Sequence, residues 1–215
     1  MTASLAKQPL LDQWIAITAD GRVIVRSGKV EIGQRISTAL AAIAAEELDV
    51  ALHRIDMATV ETGNSPDEGV TSGSNSMQDS GQAIRLAAAT ARQHLITQAA
   101  AQLQVDAASL ELSDGLIRSR DTNRSITYWE LQGDQPFEIP IDPKVDVKLP
   151  EAYSEVGTAQ TARGLSSLVT GSAKFVHDMV MPGMLHARVV RPPHYHARLR
   201  SLDKDVCERL EKNGI

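Results

Sequence analysis

The chain has 215 residues, of which 42% are hydrophobic, 3% aromatic and 23% charged, with a formal net charge of −5. That length and apolar content suit a globular chain near the size at which one domain becomes two, and argue against a disordered polyelectrolyte. Scarce aromatics and the lack of a basic stripe argue against a nucleic-acid partner, and the single cysteine, Cys207, rules out an internal disulfide or a four-cysteine iron–sulfur site.

The opening stretch MTASLAKQPLLDQW carries no long apolar run, and later apolar runs are interrupted too often to span a bilayer. A cytoplasmic chain without leader or membrane segment is expected. From Trp14 to Val30 apolar and polar residues alternate around Asp20-Gly21, a hairpin signal because glycine tolerates positive φ. Ser37 to Leu48 then sets Leu40, Ile43, Ala44 and Leu48 at helical spacing, with Ser37 or Thr38 able to cap the start. Ile55 to Val60 reads as a strand. Glu61 to Ser76, rich in Gly, Ser, Asn, Asp and Pro, reads as a long loop of the kind that carries function. An Ala-rich helix is predicted from Met77 to Gln104, burying the stripe Ile84, Ala88, Ala91, Leu95, Ala99 and Leu103. Asp106 should cap a turn, Leu110 to Arg118 should form a second hairpin around Asp114-Gly115, and Tyr128 to Leu131 a short helix.

Gly133 to Pro150 holds four of the nine prolines and a run of alternating Asp and Lys, the composition of a linker. Beyond it the pattern predicts strands at Lys174 to Val176, Met184 to Val190 and Arg198 to Leu202, then a charged helix from Asp203 to Lys212. This segment is too short to close its own core, so a chain break is expected at Asn213-Gly214-Ile215. The implied organisation is one domain over 1–132, a linker over 133–150 and the start of a second domain over 151–215. The implied class is α+β, two layers with hairpins packed on an Ala-rich helix.

Two loops could carry chemistry. The first, Lys29-Val30-Glu31-Ile32-Gly33-Gln34, leaves a strand and opens a helix; the second, Thr71-Ser72-Gly73-Ser74-Asn75-Ser76, opens the long helix. The unpaired N–H groups and dipole of a helix start favour anions. Gly73 lacks the Cβ that would hold a phosphate away, Ser72, Ser74 and Ser76 add donors, and the Gln34 amide both donates and accepts. Taken singly, each loop is also what an ordinary helix cap looks like. The segment from Gly21 to Val30 has the wrong glycine spacing for a Walker loop, and no GxGxxG occurs.

Together, KVEIGQ, ISTALAAIAAEELDV and PDEGVTSGSNSMQDSGQAIR resemble the molybdopterin-binding subunit of the xanthine dehydrogenase and aldehyde oxidase family, in particular its isoquinoline 1-oxidoreductase and nicotinate dehydrogenase type. The later VTGSAKFVHDMVMPGMLHARVVRPPHYHARLRSLD resembles the start of that family's α/β hammerhead domain. The resemblance implies that Gly33 and Gln34 line the pterin end of a molybdenum–molybdopterin cofactor. Ser72, Gly73, Ser74, Asn75 and Ser76 would hold its pyrophosphate, in a cytosine dinucleotide form. It further implies hydroxylation of N-heterocycles or oxidation of aldehydes with water-derived oxygen. The implied partners are an iron–sulfur subunit, which carries the clusters, and the remainder of the molybdopterin-binding subunit.

The sequence departs from that pattern in two respects. The family's Gly-Gln-Gly reads Gly33-Gln34-Arg35, and the family's catalytic glutamate motif is absent, so no catalytic residue is assigned and a chain inactive alone is expected. Glu46 and Glu47 are read as solvated or capping side chains. His177, His186, His194 and His196 lack metal-ligand spacing, and Arg188, Arg191 and Arg198 suit packing or a subunit interface. Other readings are a non-catalytic structural or assembly piece, and a module binding a phosphate ligand.

Overall fold

The structure, a computed structural model, describes residues 2–212; the tripeptide read as a chain break lies outside the described residues. A short helix α1 (Ala3–Lys7), capped by the Thr2 hydroxyl, precedes the first hairpin. Its strands β1 (Ile15–Ile17) and β2 (Val23–Val25) run antiparallel, with Ile15 opposite Val25 and Ile17 opposite Val23. The period of two puts these four residues in the core. Gly21, at φ +87°, supplies the turn conformation that the Asp-Gly pair predicts.

Helix α2 (Ile36–Leu48) then carries the chain to β3 (Ile55–Met57), which lies parallel to β2 with Val23 opposite Ile55. A π-helical turn at Ser76–Gly81 runs straight into α3 (Gln82–Leu103). Helices α2 and α3 bury Leu40, Ala41, Ala44, Ala45, Ile84, Ala87, Ala88 and Ala91, so small side chains line both packed faces. Such faces let two helices approach closely, which is how a core with few aromatics stays dense. Trp14 fills the base of this layer, its indole N–H donating to the Gln8 carbonyl at 2.9 Å.

A second sheet follows: β4 (Leu110–Ser113), β5 (Leu116–Ser119) and β6 (Ser125–Thr127), all antiparallel. Asp114 and Gly115 both take positive φ at the β4–β5 turn, the geometry that an Asp-Gly hairpin requires. Strand β6 had no sequence signal beyond a single isoleucine. Helix α4 (Tyr128–Gln132) starts at a Thr127/Glu130 capping box, and the Tyr128 hydroxyl donates to the Leu48 carbonyl inside the core. Helices and two antiparallel-rich sheets on one core make the α+β class expected from sequence.

Residues 133–150 are not a free linker. Phe137 and Ile141 are buried, the N–H groups of Phe137 and Glu138 donate to the Asp12 carboxylate, and Asp142 N–H donates to the Thr90 hydroxyl. The proline-rich composition sets an extended path, and distant side chains then pin it down. The division between compact units accordingly falls after Leu165.

In the unit from Ser166 on, the described residues form no β-strand. Helix α5 (Leu165–Val169) straddles the boundary, a 3₁₀ turn spans Val176–Asp178, and α6 (Lys204–Lys212) matches the predicted charged helix. The stretches predicted as strands are irregular, with Leu185, Val189 and Val190 at 70%, 81% and 95% exposure. Alternation can prescribe a strand's faces but cannot supply the neighbour that completes its backbone hydrogen bonds.

Candidate functional site

The first loop closes on itself. Glu31 Oε1 accepts from the N–H groups of Gly33 and Arg35 at 3.1 and 2.8 Å, and Oε2 from the N–H and hydroxyl of Ser37 at 3.3 and 3.0 Å. Burial works against the charge on Glu31, yet these donors outweigh it and hold its carboxyl below the ordinary glutamate range. The N-cap of α2 is Arg35, in the left-handed conformation at φ 61°, and its own side chain makes no capping bond. Neither Ser37 nor Thr38 caps the helix as expected: Ser37 Oγ donates to Glu31, and Thr38 Oγ1 accepts from the N–H of Arg163. A carboxylate on the loop reaches several N–H groups at once, which a hydroxyl cannot do. Gln34 staples the same loop, accepting from Ile32 N–H at 2.7 Å and donating to the Val30 carbonyl at 2.8 Å. Gly33, at φ +102°, has open space where a Cβ would stand.

The second loop is open by contrast. Gly73 and Ser74 take positive φ, at 66° and 59°, and Asn75 at the helix start makes no side-chain cap. Ser72, Gly73, Ser74 and Asn75 are exposed and Ser76 half-buried. Among the described residues no hydrogen bond engages the hydroxyls of Ser72, Ser74 or Ser76. This helix start therefore keeps its first N–H groups and three hydroxyls for something else.

The two loops meet. Val30 N–H donates to Thr71 Oγ1 at 2.9 Å, and the buried Lys29 ammonium donates to the carbonyls of Glu68 and Val70 at 2.8 and 3.4 Å. Beneath them Glu68 gathers the Ser4, Ser27 and Ser80 hydroxyls and the Gly28 N–H, at 2.8 to 3.1 Å. The long 61–76 loop is thus nailed to the core at its middle, and the second candidate loop hangs from that anchor. Glu68 sits in the PDEGVTSGSNS stretch without standing out, because nothing local marks a residue whose donors are 12 to 64 positions away.

A cavity of about 470 Å³ lies against α2, bordered by Arg35 and Met77, the residues that follow the two loops, and lined by no residue of either loop itself. Its fixed wall is α2, through Arg35, Thr38, Ala39, Ala42 and Ile43, with Met77, next to Ser76, at one end. Its other wall is the chain from Glu155 to Ala162. No sequence signal marks this wall, nor what holds it. Glu46 and Glu47, expected at the surface, are 2% and 1% exposed. Glu47 pairs with Arg85 at 3.0 Å and accepts from the Lys148 N–H, while Glu46 accepts from three successive N–H groups at 154–156.

The profile of the molybdopterin cofactor-binding domain family matches residues 2–164, nearly the whole of the first compact unit. The chain is 35% identical to a nicotinate dehydrogenase subunit of Pseudomonas putida, over 87% of its own length and 16% of that protein's. It is 27% identical to the β-subunit of isoquinoline 1-oxidoreductase from Brevundimonas diminuta, over 84% of its length and 28% of that protein's. Among solved structures, CO dehydrogenase from Oligotropha carboxidovorans is 30% identical with a TM-score of 0.49, covering 54% of this chain and 15% of that one. The chain therefore spans between about a sixth and about a quarter of the curated relatives named here.

Proposed function

The chain belongs to the molybdopterin cofactor-binding domain family, and from that premise we propose that it is the cofactor-holding part of a molybdenum hydroxylase subunit. The observation that carries this reading is the uncapped, hydroxyl-rich helix start at Ser72–Ser76, with a cavity close by whose lining includes Met77, next to Ser76, and Arg35, next to Gln34. The fit to an anionic cofactor is good at the second loop, where donors are free and Gly73 leaves room. At the first loop Glu31 already occupies the N–H groups of Gly33 and Arg35, so that loop fits a phosphate poorly; for the uncharged pterin end it offers only the second amide proton and lone pair that Gln34 keeps beyond its bonds to Val30 and Ile32.

In this reading Ser72, Gly73, Ser74, Asn75 and Ser76 bind the pyrophosphate of a cytosine dinucleotide form, and Gly33 and Gln34 border the pterin. When bound, the molybdenum cofactor supplies the redox centre for hydroxylating N-heterocycles or oxidising aldehydes with water-derived oxygen. Iron–sulfur clusters belong to a partner subunit, and the rest of the site to further polypeptide, in a cytoplasmic assembly. No helix among the described residues is long and apolar enough to cross a membrane. Residues 2–164 would then belong to the cofactor-binding domain, and the chain from Ser166 on to the start of a hammerhead domain. Acid release of cytidine nucleotide, with molybdenum analysis, on the chain purified with its partners tests the reading. Absence of both overturns it.

The isolated chain should show no turnover of N-heterocycles or aldehydes with an artificial electron acceptor. Glu155 is the one carboxylate lining the cavity among the described residues, and Gln160 already donates to it. Lack of a free general base alone costs about 10² to 10⁴ in rate. Steady turnover by the pure chain would refute this expectation.

Arg35 is the second point of test. Its left-handed backbone costs on the order of 1 kcal/mol, which glycine would relieve, though glycine's extra freedom when unfolded returns roughly 0.5–1 kcal/mol. Arg35→Gly should therefore leave thermal stability nearly unchanged. It should raise molybdenum occupancy in the assembled complex, because a long side chain leaves the cavity wall. Equal or lower molybdenum in matched preparations would make Arg35 a cofactor ligand or a bystander.

A further inference from the structure

The chain from 146 to 163 is a strap fastened to the two central helices at both ends. At its beginning, Lys148 donates from its ammonium to Glu46 and Asp49, and Arg85 donates to the Lys148 carbonyl and the Tyr153 hydroxyl. Glu46 Oε2 then accepts from the N–H groups of Ser154, Glu155 and Val156 at 2.9, 2.7 and 3.0 Å. At the far end the Arg163 N–H donates to Thr38 Oγ1 at 2.9 Å and returns the strap to the first turn of α2. Between these fastenings Gly157, Thr158, Gln160 and Ala162 face the cavity, and α2 supplies the opposite wall as well as the Glu46 and Thr38 side chains that hold the strap.

We propose that Glu46 is a positioning residue for this cavity: one of its carboxylate oxygens, by gathering three successive backbone N–H groups, fixes the 154–162 wall and so sets the width of the space between that wall and α2. The assignment of that space to a cofactor rests on the reading given above; the role of Glu46 in holding the wall does not. A helix side chain placed three turns from Arg35 thereby acts on the site through backbone alone. Converging N–H donors favour the charged form of a carboxylate, which makes the fastening depend on ionisation. Burial opposes the charge of Glu46, but the N–H groups of Val156, Glu155 and Ser154 and the Lys148 ammonium outweigh it and hold its carboxyl below the usual glutamate range. The fastening is therefore complete above the ordinary carboxylate range and is lost as pH falls through the lowered value. The other charged or titratable groups around it are Lys148, Tyr153 and Glu155 on the strap, Glu47 and Asp49 at the end of α2, and Arg85 and Arg92 on α3.

Amide hydrogen exchange on the whole chain, corrected for intrinsic rates, tests this without any cofactor. Glu46→Gln keeps an acceptor oxygen but not the charge. It should speed exchange at 154–162 at least tenfold while amides of Ile84 to Ala99 in α3 keep their protection. In the unaltered chain the strap's protection should fall on acidification before that of α3, and in Glu46→Gln that step should be missing. Should Glu46→Gln fail to fold, Thr38→Val removes only the far fastening and should loosen the strap near Arg163 while 154–156 stays protected. Unchanged strap exchange, or strap and α3 loosening together, would overturn the proposal. Equal strap exchange in assembled complexes with and without bound cytidine dinucleotide cofactor would instead refute the use of this cavity by the cofactor and leave the role of Glu46 standing.

Discussion

Gly73→Asp should empty the assembled complex of cytidine nucleotide, with a loss of at least a hundredfold in cofactor retention. Gly73 stands at φ +66° with only the Asn75 side chain near a would-be Cβ, at 3.3 Å, so a side chain can be built there. It would stand next to Asn75, in the loop that carries the hydroxyls of Ser72, Ser74 and Ser76. A carboxylate about 4 Å from a phosphate oxygen repels it by roughly 4 kcal/mol at the effective dielectric of a protein surface, and about 1.4 kcal/mol already corresponds to a factor of ten. Aspartate and asparagine are similar in shape, and both tolerate the left-handed region better than other residues with a Cβ. Gly73→Asn is therefore the control: it adds the bulk without the charge and should retain far more nucleotide. Equal loss in both variants would mean that space alone, and no anion, matters at Gly73. Undiminished nucleotide in Gly73→Asp would remove the pyrophosphate from this loop.

The contrast between the two loops was only half legible in the sequence. Both read as helix starts with small residues, and both are. What separates them is Glu31, whose carboxylate serves its own loop, whereas nothing of that kind serves Asn75 and Ser76. The sequence shows a glutamate two positions before Gly33; only the fold shows that it curls back onto Arg35 and Ser37. The positive φ of Arg35 was better signposted, since the family's pattern has glycine there and the backbone keeps the glycine-like conformation despite the arginine.

Local chemistry made the rest of the first unit readable. Asp20-Gly21 and Asp114-Gly115 announce hairpins because turn conformation is decided within two residues, and Leu40, Ala44 and Leu48 announce a helix because their spacing is local. Long-range partners were invisible. Glu46 and Glu47 sit in AAEEL, which on its own suggests a solvated helix end. They are buried because a strap arriving about a hundred positions later brings Lys148 and three N–H groups to them. Removing one partner from such a buried set costs more than the set contributes, since the remaining charge is left without compensation. The same reasoning explains the strands predicted after Ser166: their alternation is present, but the described residues there include no neighbouring strand.

The remaining large effect is expected at Gly28, where space rather than conformation forbids a side chain. A Cβ at Gly28 would stand 2.1 Å from the Pro66 carbonyl oxygen and 3.2 Å from both the backbone nitrogen and the Cβ of Glu68. Two of these three neighbours are backbone, so Gly28→Ala cannot be absorbed by a rotamer change and must push the 66–68 backbone away. That displacement strikes the anchor of the long loop: the Gly28 N–H bond to Glu68, the three serine hydroxyls gathered there, and the Lys29 ammonium on the Glu68 carbonyl. Overpacking costs about 1–3 kcal/mol, and weakening the buried polar cluster adds the cost of its unmet donors, about 1–3 kcal/mol for each group left unsatisfied. The melting temperature should therefore fall by roughly 5–15 °C, at about 2–4 °C per kcal/mol for a chain of this size. Gly33→Ala provides the comparison, because its Cβ meets nothing and only the φ of +102° resists it. Gly28→Ala should also loosen amide exchange from Thr71 to Ser76 while leaving the Asp114 hairpin untouched, since the second candidate loop hangs from Glu68 and the hairpin does not. A melting temperature within about 2 °C of the parent, or a hairpin loosened as much as the loop, would show that Glu68 is not what holds the second loop in place.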